Sequence, residues 1–310
     1  MHEPAADRLA ADTYRRSRGA WRLFALFAVA LAILVGVGRF AWPESAGAPY
    51  IARLVIEGTI ATDRERLAAI EALARDESVQ AVIVAINSPG GTTAGGEELY
   101  EALTRLRAAR PTVAVIGELG ASAAYMTAIA TDRVLARRLS IVGSIGVLYQ
   151  HVNAGKLLDT IGVGLDKVAS GPLKAEPDIN EPLEGPARDS IAALVDDSFQ
   201  WFVDIVAERR DLERASALRL ADGRIVTGRV GVETGLIDAI GGEREALDWL
   251  AQAREIDPEL PIRTVWPLPA GGIDFIGTFL GEQARAALGM PQRTIPLDGL
   301  VSLWQVDARF

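Results

Sequence analysis

The sequence predicts an α/β fold with a mainly parallel sheet and flanking helices. Three observations carry this. Runs such as Thr112-Val113-Ala114-Val115-Ile116 and Val79–Ile86 are apolar and β-branched without polar alternation, which reads as strands buried on both faces. Helical segments alternate with them at intervals of roughly 25–35 residues, the spacing of strand–helix–strand units. Two of the runs end in glycine-containing junctions, and sheets of this kind place their sites beyond the carboxyl ends of the strands.

Residues 1–20 form a polar tail carrying Arg8, Arg15, Arg16 and Arg18. Leu23–Gly38 follows as sixteen apolar residues bounded by Arg22 and Arg39 and flanked by Trp21 and Trp42. A helix over 21–42 rises about 31 Å, close to bilayer thickness, with tryptophans at both interfaces. A cleavable signal peptide fits less well. Its candidate site, Ala46-Gly47-Ala48, lies well beyond the apolar run and is followed by Pro49. We therefore expect a transmembrane anchor over 21–42, with the arginine-rich N-terminus cytoplasmic and the bulk of the chain outside. Residues 43–49 read as a linker, 50–265 as the main domain and 266–310 as a tail. The tail's apolar stripe at Ile273, Ile276, Leu280, Ala284 and Ala287 suits packing on the core or on another subunit.

Within the main domain, Ile51–Gly58 reads as a strand. Asp63–Asp76 reads as a helix with Leu67, Ile70, Leu73 and Ala74 on one face. The strand Val79–Ile86 breaks at Asn87-Ser88-Pro89-Gly90-Gly91, and a helix runs from about Ala94 to Ala109. After the strand at 112–116, the alanine-rich stretch Ala121–Ala130 suits a tightly packed helix. Arg133–Ala136 reads as a short strand. Then come a helix near Lys156, a strand near Asp166–Ala169 and a long amphipathic helix from about Pro186 to Arg210. Residues 217–243 contain Gly223–Gly228 and Thr234–Asp238 and lead into a last helix.

Composition narrows the chemistry. The net charge of −9 argues against nucleic acid as the main partner. With no cysteine, no disulfide framework, thiol nucleophile or thiolate metal site is possible. His2 and His151 are the two histidines, so a Ser-His-Asp triad would have to use His151 and a multi-histidine metal site is excluded. Among 32 basic residues only Lys156, Lys167 and Lys174 are lysines. A lysine can lose its proton when desolvated and an arginine cannot, so any lysine base is one of three.

Ser122 stands at the junction Gly117-Glu118-Leu119-Gly120-Ala121-Ser122-Ala123, in what the pattern makes the first turn of a helix. It is either a helix cap or a nucleophile whose oxyanion meets nearby amides. The Pro89-Gly90-Gly91 stretch is likewise either an ordinary turn or a place where bare backbone approaches a substrate. Both follow strand ends and can share one crevice. His151 reads as structural or exposed, Glu118 as a pocket-edge residue, and Lys156 and Lys167 as surface positions.

The combination of Asn87-Ser88-Pro89-Gly90-Gly91-Thr92-Thr93-Ala94-Gly95 with a helix-start serine some thirty residues later resembles the Clp-protease/crotonase superfamily. Within it, the chain is most similar to the membrane-anchored serine peptidases of family S49, the signal peptide peptidase A group in its short form. The matching stretches are Ile86–Gly91, Ala121–Met126, Val142–Val147, Ser170–Pro177 and Gly223–Arg229, spread over residues 50 to 250. One departure is Ala124, where a glycine is common.

The resemblance implies Ser122 as nucleophile, Lys174 as general base, the amides of Gly91 and Ala123 as oxyanion hole, and Ser144 as the residue orienting the lysine. It implies no cofactor or metal. It also implies a periplasmic domain on an anchor in the bacterial inner membrane, and a homo-oligomer in which serine and lysine can come from neighbouring subunits. Released signal peptides and other extended apolar peptides are the expected substrates. Two other classes remain. A crotonase-type acyl-CoA hydratase or isomerase would rarely need Ser122 plus a lysine, and a catalytically silent membrane scaffold would need neither.

Overall fold

A computed structural model describes Trp21, residues 25–30, residues 47–267 and residues 300–303. The chain divides into two units, Met1–Ala48 and Pro49–Phe310. In the first, Trp21 and residues 25–30 are helical and exposed. Most of the expected anchor over 21–42 lies outside the described residues, as does the tail stripe at 273–287. Among the described residues, no helix is long and apolar enough to cross a membrane.

The second unit is built on a sheet that is ten-stranded among the described residues. Six strands lie side by side with every neighbouring pair parallel: β9 (Ile262–Trp266), β1 (Tyr50–Ile60), β2 (Val79–Thr92), β3 (Thr112–Ala121), β4 (Arg133–Ala136) and β8 (Ala239–Ile240). Between them run α1 (Arg64–Arg75), α2 (Thr93–Ala109) and α3 (Ala123–Ile129). Later in the chain come β5 (Ile141–Gly143), β6 (Leu148–Tyr149), α4 (Gly155–Thr160), α5 (Gly185–Arg209), α6 (Arg214–Leu220), β7 (Ile225–Thr227), α7 (Gly228–Glu233) and α8 (Glu243–Arg254). The last described element is β10 (Leu300–Leu303).

Period-two alternation sends successive strand residues to opposite faces. Ala52, Leu54 and Ile56 of β1, Val82, Val84 and Ile86 of β2, and Ala114 and Ile116 of β3 enter the larger core with residues of α1, α2, α3 and α5. Ile51, Ala81, Ile83, Val113 and Leu135 enter a smaller core closed by Ala246 and Leu250 of α8. Both faces are covered, which is why the runs are uninterruptedly apolar. Fully burying one such aliphatic side chain is worth about 1.5–3 kcal/mol.

Three sequence expectations need correction. Gly91 does not end a broken strand, because β2 continues to Thr92 with Gly90 at φ +103°. The ladder shifts register between Ile86 and Ser88, and the buried Ser88 hydroxyl donates to the Gly58 carbonyl (2.6 Å) and accepts from Gly90 N–H (3.1 Å). An internal hydroxyl thus holds the irregularity open in mid-strand. The stretch Asp166–Ala169 forms no strand: its one β-branched residue, Val168, faces solvent, and Lys167 turns to Glu176 and Asp178. Finally, α3 begins at Ala123, so Ser122 lies before the helix rather than in its first turn.

The sheet forks. β2 and β3 pair from Val82↔Thr112 to Ser88↔Gly120. Then β3 turns to β5, Leu119↔Ile141 through Ala121↔Gly143, and β5 continues into antiparallel β7. This fork is the crevice beyond the strand ends.

Candidate active site

Ser122 links β3 to α3 at φ 60°, ψ −123° and is 1% exposed. A non-glycine residue there is strained by about 1–3 kcal/mol and persists only where its surroundings force it. Its hydroxyl makes no capping hydrogen bond to the helix. The cap alternative therefore fails, and Ser122 stands on a sharp turn between strand and helix. Ala123 follows as the first helical residue, whose amide has no carbonyl of a preceding turn to bond. The Ser122 carbonyl accepts from Tyr125 N–H (2.8 Å) and Met126 N–H (3.0 Å), so the elbow and first turn are one rigid piece.

The surroundings that force this conformation are identifiable. Ser122 N–H donates to the Gly143 carbonyl (2.9 Å). Gly143 is at φ +94° and Ser144 at φ +50°, and Ser144 N–H donates to the Arg224 carbonyl (2.8 Å). The Gly223–Arg229 stretch supplies β7, which pairs with β5 as Ile141↔Thr227, Val142↔Val226 and Gly143↔Ile225. Thr227 then caps α7. This motif accordingly acts on the Ser122 turn through Gly143, at one remove. Ser140 holds the flared end of β3, its hydroxyl donating to the Gly117 carbonyl (2.5 Å).

Gly91 lies in β2 opposite Ile60, and a Cβ there would sit 1.7 Å from the Ile60 carbonyl oxygen. Glycine is thus required by main-chain packing, whatever its amide does. Downstream, Thr92 caps α2 through its hydroxyl, which accepts from Gly95 N–H (2.9 Å). At Gly96 a Cβ would meet Met126 Sδ at 2.9 Å and Ala123 Cβ at 3.0 Å. The second glycine pair, Gly95-Gly96, therefore lets α2 lie against the first turn of α3. Sequence reasoning named Gly95 only as the end of the Asn87 motif and gave neither glycine a role; the signal was two glycines just inside a helix, where they cost helix propensity. Beside this contact, a cavity of about 310 Å³ is lined by Thr93, Ala94, Glu97, Met126, Asp197, Ser198 and Trp201.

Tyr125 is fully buried and donates to the Leu236 carbonyl (2.7 Å). Burial holds its phenol protonated far above the usual range, with Arg210 opposing and Asp238 reinforcing the shift. It is a fixed donor that anchors α3.

Ser122, Gly143 and Ser144 are brought together through the backbone. Lys174 sits elsewhere in character, exposed on the Ser170–Pro177 loop, with its N–H donating to the Gly171 carbonyl (3.1 Å). The loop is tied down by its neighbour in sequence. Lys167 Nζ pairs with Glu176 (2.5 Å) and with Asp178, and those hydrogen bonds, Asp178 first, push its pKa up to about 12. A lysine so held is no proton acceptor near neutrality. His151 Nε2 lies 2.9 Å from the Glu181 carbonyl, and Glu118 is exposed. Among the described residues, no cluster of His, Cys, Asp and Glu could hold a metal ion.

A buried, strained serine at the carboxyl edge of a parallel sheet is a candidate nucleophile. Comparison with known proteins makes the assignment. The family model "Peptidase family S49" matches residues 104–257. The protein slr0021 of Synechocystis sp., provisionally named a protease, is 34% identical over 221 residues, 70% of this chain and 79% of its own. An Enterococcus faecium protein provisionally named signal peptide peptidase SppA is 29% identical over 84% of this chain and 78% of its own. Protease 4 of Haemophilus influenzae is 30% identical over 78% of this chain, which spans only 42% of that longer relative. The chain belongs to peptidase family S49. Membership supports a peptidase, a hydrolase of peptide bonds.

Proposed function

We propose that this chain is a membrane-anchored serine endopeptidase with a Ser122/Lys174 dyad that degrades released signal peptides and other extended apolar peptides. The observation that carries this reading is Ser122 itself, a buried serine at φ 60° whose hydroxyl does not cap the helix it precedes. In the mechanism proposed, the Ser122 oxygen attacks the substrate carbonyl while the neutral Lys174 amine takes its proton. The amides of Gly91 and Ala123 receive the developing oxyanion. The lysine then returns the proton to the leaving amine, and water hydrolyses the acyl-enzyme by the same route. Ser144 would orient the amine. No step calls for a cofactor.

The base is proposed to reach the serine from a neighbouring subunit of a homo-oligomer. Two features favour this. Ser122 is buried whereas Lys174 is exposed. The lobe that carries Lys174 also exposes Val152, Leu157, Ile161, Leu165, Val168 and Leu173, an apolar surface suited to a second copy. The anchor over 21–42 would hold the domain at the periplasmic face of the inner membrane.

The test is labelling by a serine-directed acylating probe together with hydrolysis of an extended apolar peptide. Both should be present in the full chain and lost on Ser122→Ala. Labelling that survives in Ser122→Ala would overturn the assignment. A crotonase-type enzyme or a silent scaffold would give no labelling at Ser122.

A further inference from the structure

Ser88 sits where two irregularities of the sheet coincide. On the β1 side the ladder runs through Ile56↔Ile86 and Glu57↔Asn87, then resumes as Thr59↔Gly90 and Ile60↔Gly91. From Glu57 to Thr59 β1 advances two residues, while from Asn87 to Gly90 β2 advances three, so β2 carries one extra residue. On the β3 side, the step from Ile86↔Ile116 to Ser88↔Gly120 takes two residues of β2 and four of β3. Both ladders thus slip at Ser88, whose side chain is wholly buried.

The extra residue has a chemical consequence. Successive residues of a strand address opposite edges with their N–H and C=O groups, so an insertion of one exchanges the edges addressed by every residue after it. Without the insertion Gly90 would stand opposite Ile60, the place that Gly91 holds. Each glycine amide has a single proton to donate. That of Gly90 goes to the Ser88 hydroxyl oxygen at 3.1 Å. Pro89, the other residue of the insertion, has no N–H and cannot compete for that oxygen. The hydroxyl's own proton goes to the carbonyl of Gly58 at 2.6 Å, and Gly58, at φ +66°, is the β1 residue inside the slip. Ser88 therefore ties the slipped points of two strands together. Its proton and its acceptor oxygen are both engaged inside the sheet, which leaves it no part as a second nucleophile.

We propose that Ser88 is a positioning residue of the oxyanion hole. It pins the inserted residue and occupies the Gly90 amide, so that of the two glycine amides only Gly91 N–H is presented at the end of the β2–β3 pairing, where the Ser122 turn begins. This rests on the peptidase reading, and on Gly91 as an oxyanion donor within it. Ser88 touches no substrate in this role and acts through the main chain alone.

The experiment uses the full chain, with active sites counted by an acylating probe at Ser122. Ser88→Ala removes both hydrogen bonds and frees the Gly90 amide. Removing an oxyanion donor outright costs about 10²–10³ in kcat; displacing one should cost less, about 10- to 100-fold per labelled site. KM for an extended apolar peptide should stay within about twofold, since the lost interaction is made only in the transition state. A reversible peptide aldehyde gives the second readout. Ser122 Oγ adds to its carbonyl carbon and the carbonyl oxygen becomes the oxyanion, so its affinity should weaken by the same factor as kcat. Binding of the substrate peptide to Ser122→Ala chains should be equal with and without the Ser88 change. A merely structural hydroxyl would lower the urea midpoint and the number of labelled sites but leave kcat per site and aldehyde affinity at parental values. That result would overturn the proposal. Should Ser88→Ala fail to fold, as judged by circular dichroism, Ser88→Cys takes its place, because a thiol is a weak donor and a weak acceptor. It should lose both kcat per site and aldehyde affinity to a smaller extent, and parental values would then overturn the proposal. The two readings fail differently. A parent chain with neither turnover nor aldehyde adduct defeats the peptidase reading and the role of Ser88 with it, whereas turnover that Ser88→Ala leaves unchanged per site defeats the role of Ser88 alone.

Discussion

Ser122 N–H donates to the carbonyl of Gly143, 2.9 Å away and twenty-one positions on in sequence. This bond joins the strained elbow to a second turn that is itself built at positive φ, Gly143 at +94° and Ser144 at +50°. Each conformation is disfavoured alone, and pairing Ala121↔Gly143 and Gly143↔Ile225 holds both. Gly143→Val should therefore destabilise the fold by about 1–3 kcal/mol, since its Cβ would face the Arg224 carbonyl at 3.2 Å in a backbone region that side chains avoid. Urea unfolding measures the loss. Peptide hydrolysis should fall further than the unfolded fraction accounts for, because the elbow loses its support.

Gly96 gives a cleaner separation of fold from activity. Gly96→Leu should push α3 away from α2, since even a Cβ would lie 3.0 Å from that of Ala123, the residue next to the proposed nucleophile Ser122. A shift of about 1 Å at a reacting group can cost on the order of a hundredfold in rate. We expect kcat to drop by that order while Gly96→Ala, where Met126 can yield, loses much less. Equal kcat in both variants would show that the helix contact does not position the serine.

The sheet and the strand-end junctions at Gly90-Gly91 and Ser122 were legible in the sequence for a physical reason. A strand covered on both faces must be apolar throughout, so Val79–Ile86 and Thr112–Ile116 announced themselves, and the residues that follow them had to lie at the site. What was hidden depends on pairings distant in sequence. Whether β2 runs on to Thr92 depends on Ser88 bonding Gly58, thirty residues away. The role of Gly223–Arg229 appears only once β7 lies on β5. The pairing of Ser302 with Gly91 joins positions on which no local pattern bears. Asp166–Ala169 misled because its single β-branched residue was read without a partner strand.

Tyr125→Phe should cost about 1–3 kcal/mol in stability by leaving the buried Leu236 carbonyl without its donor. Activity at temperatures where the variant is folded should change little, since the phenol is anchored in the core and takes no part in the chemistry. The shift in urea midpoint at an unchanged slope is the readout.

Lys167 gives a pH dependence whose sign is fixed. Its pKa is raised from 10.5 to about 12 in the folded chain, by Asp178 first and Glu176 second. The folded state therefore holds the proton more tightly than the unfolded one. The contribution is complete below about 10.5 and is lost as pH climbs through 12. Because the lysine is exposed, the effect should be read locally. Lys167→Met should speed hydrogen exchange across residues 170–178 near neutrality, and the difference from the parent should narrow above pH 11. Equal exchange at neutral pH would mean that the ion pairs do not order the Lys174 loop.

The assignment of Lys174 as base leads to two linked expectations. Lys174→Arg should abolish peptide hydrolysis, since a guanidinium keeps the charge but cannot accept the Ser122 proton. Near-normal rates in that variant would point to another acceptor, His151 first. If the lysine acts across a subunit boundary, two inactive proteins can repair one another. Oligomers reassembled from equal amounts of Ser122→Ala and Lys174→Ala chains should recover about a quarter of parental activity: half the sites carry an intact serine, and half of those face a neighbour with an intact lysine. A dyad formed within one chain predicts none, because each chain then lacks one of its own two groups. Mixing without reassembly is the control, and it should stay inactive under either geometry.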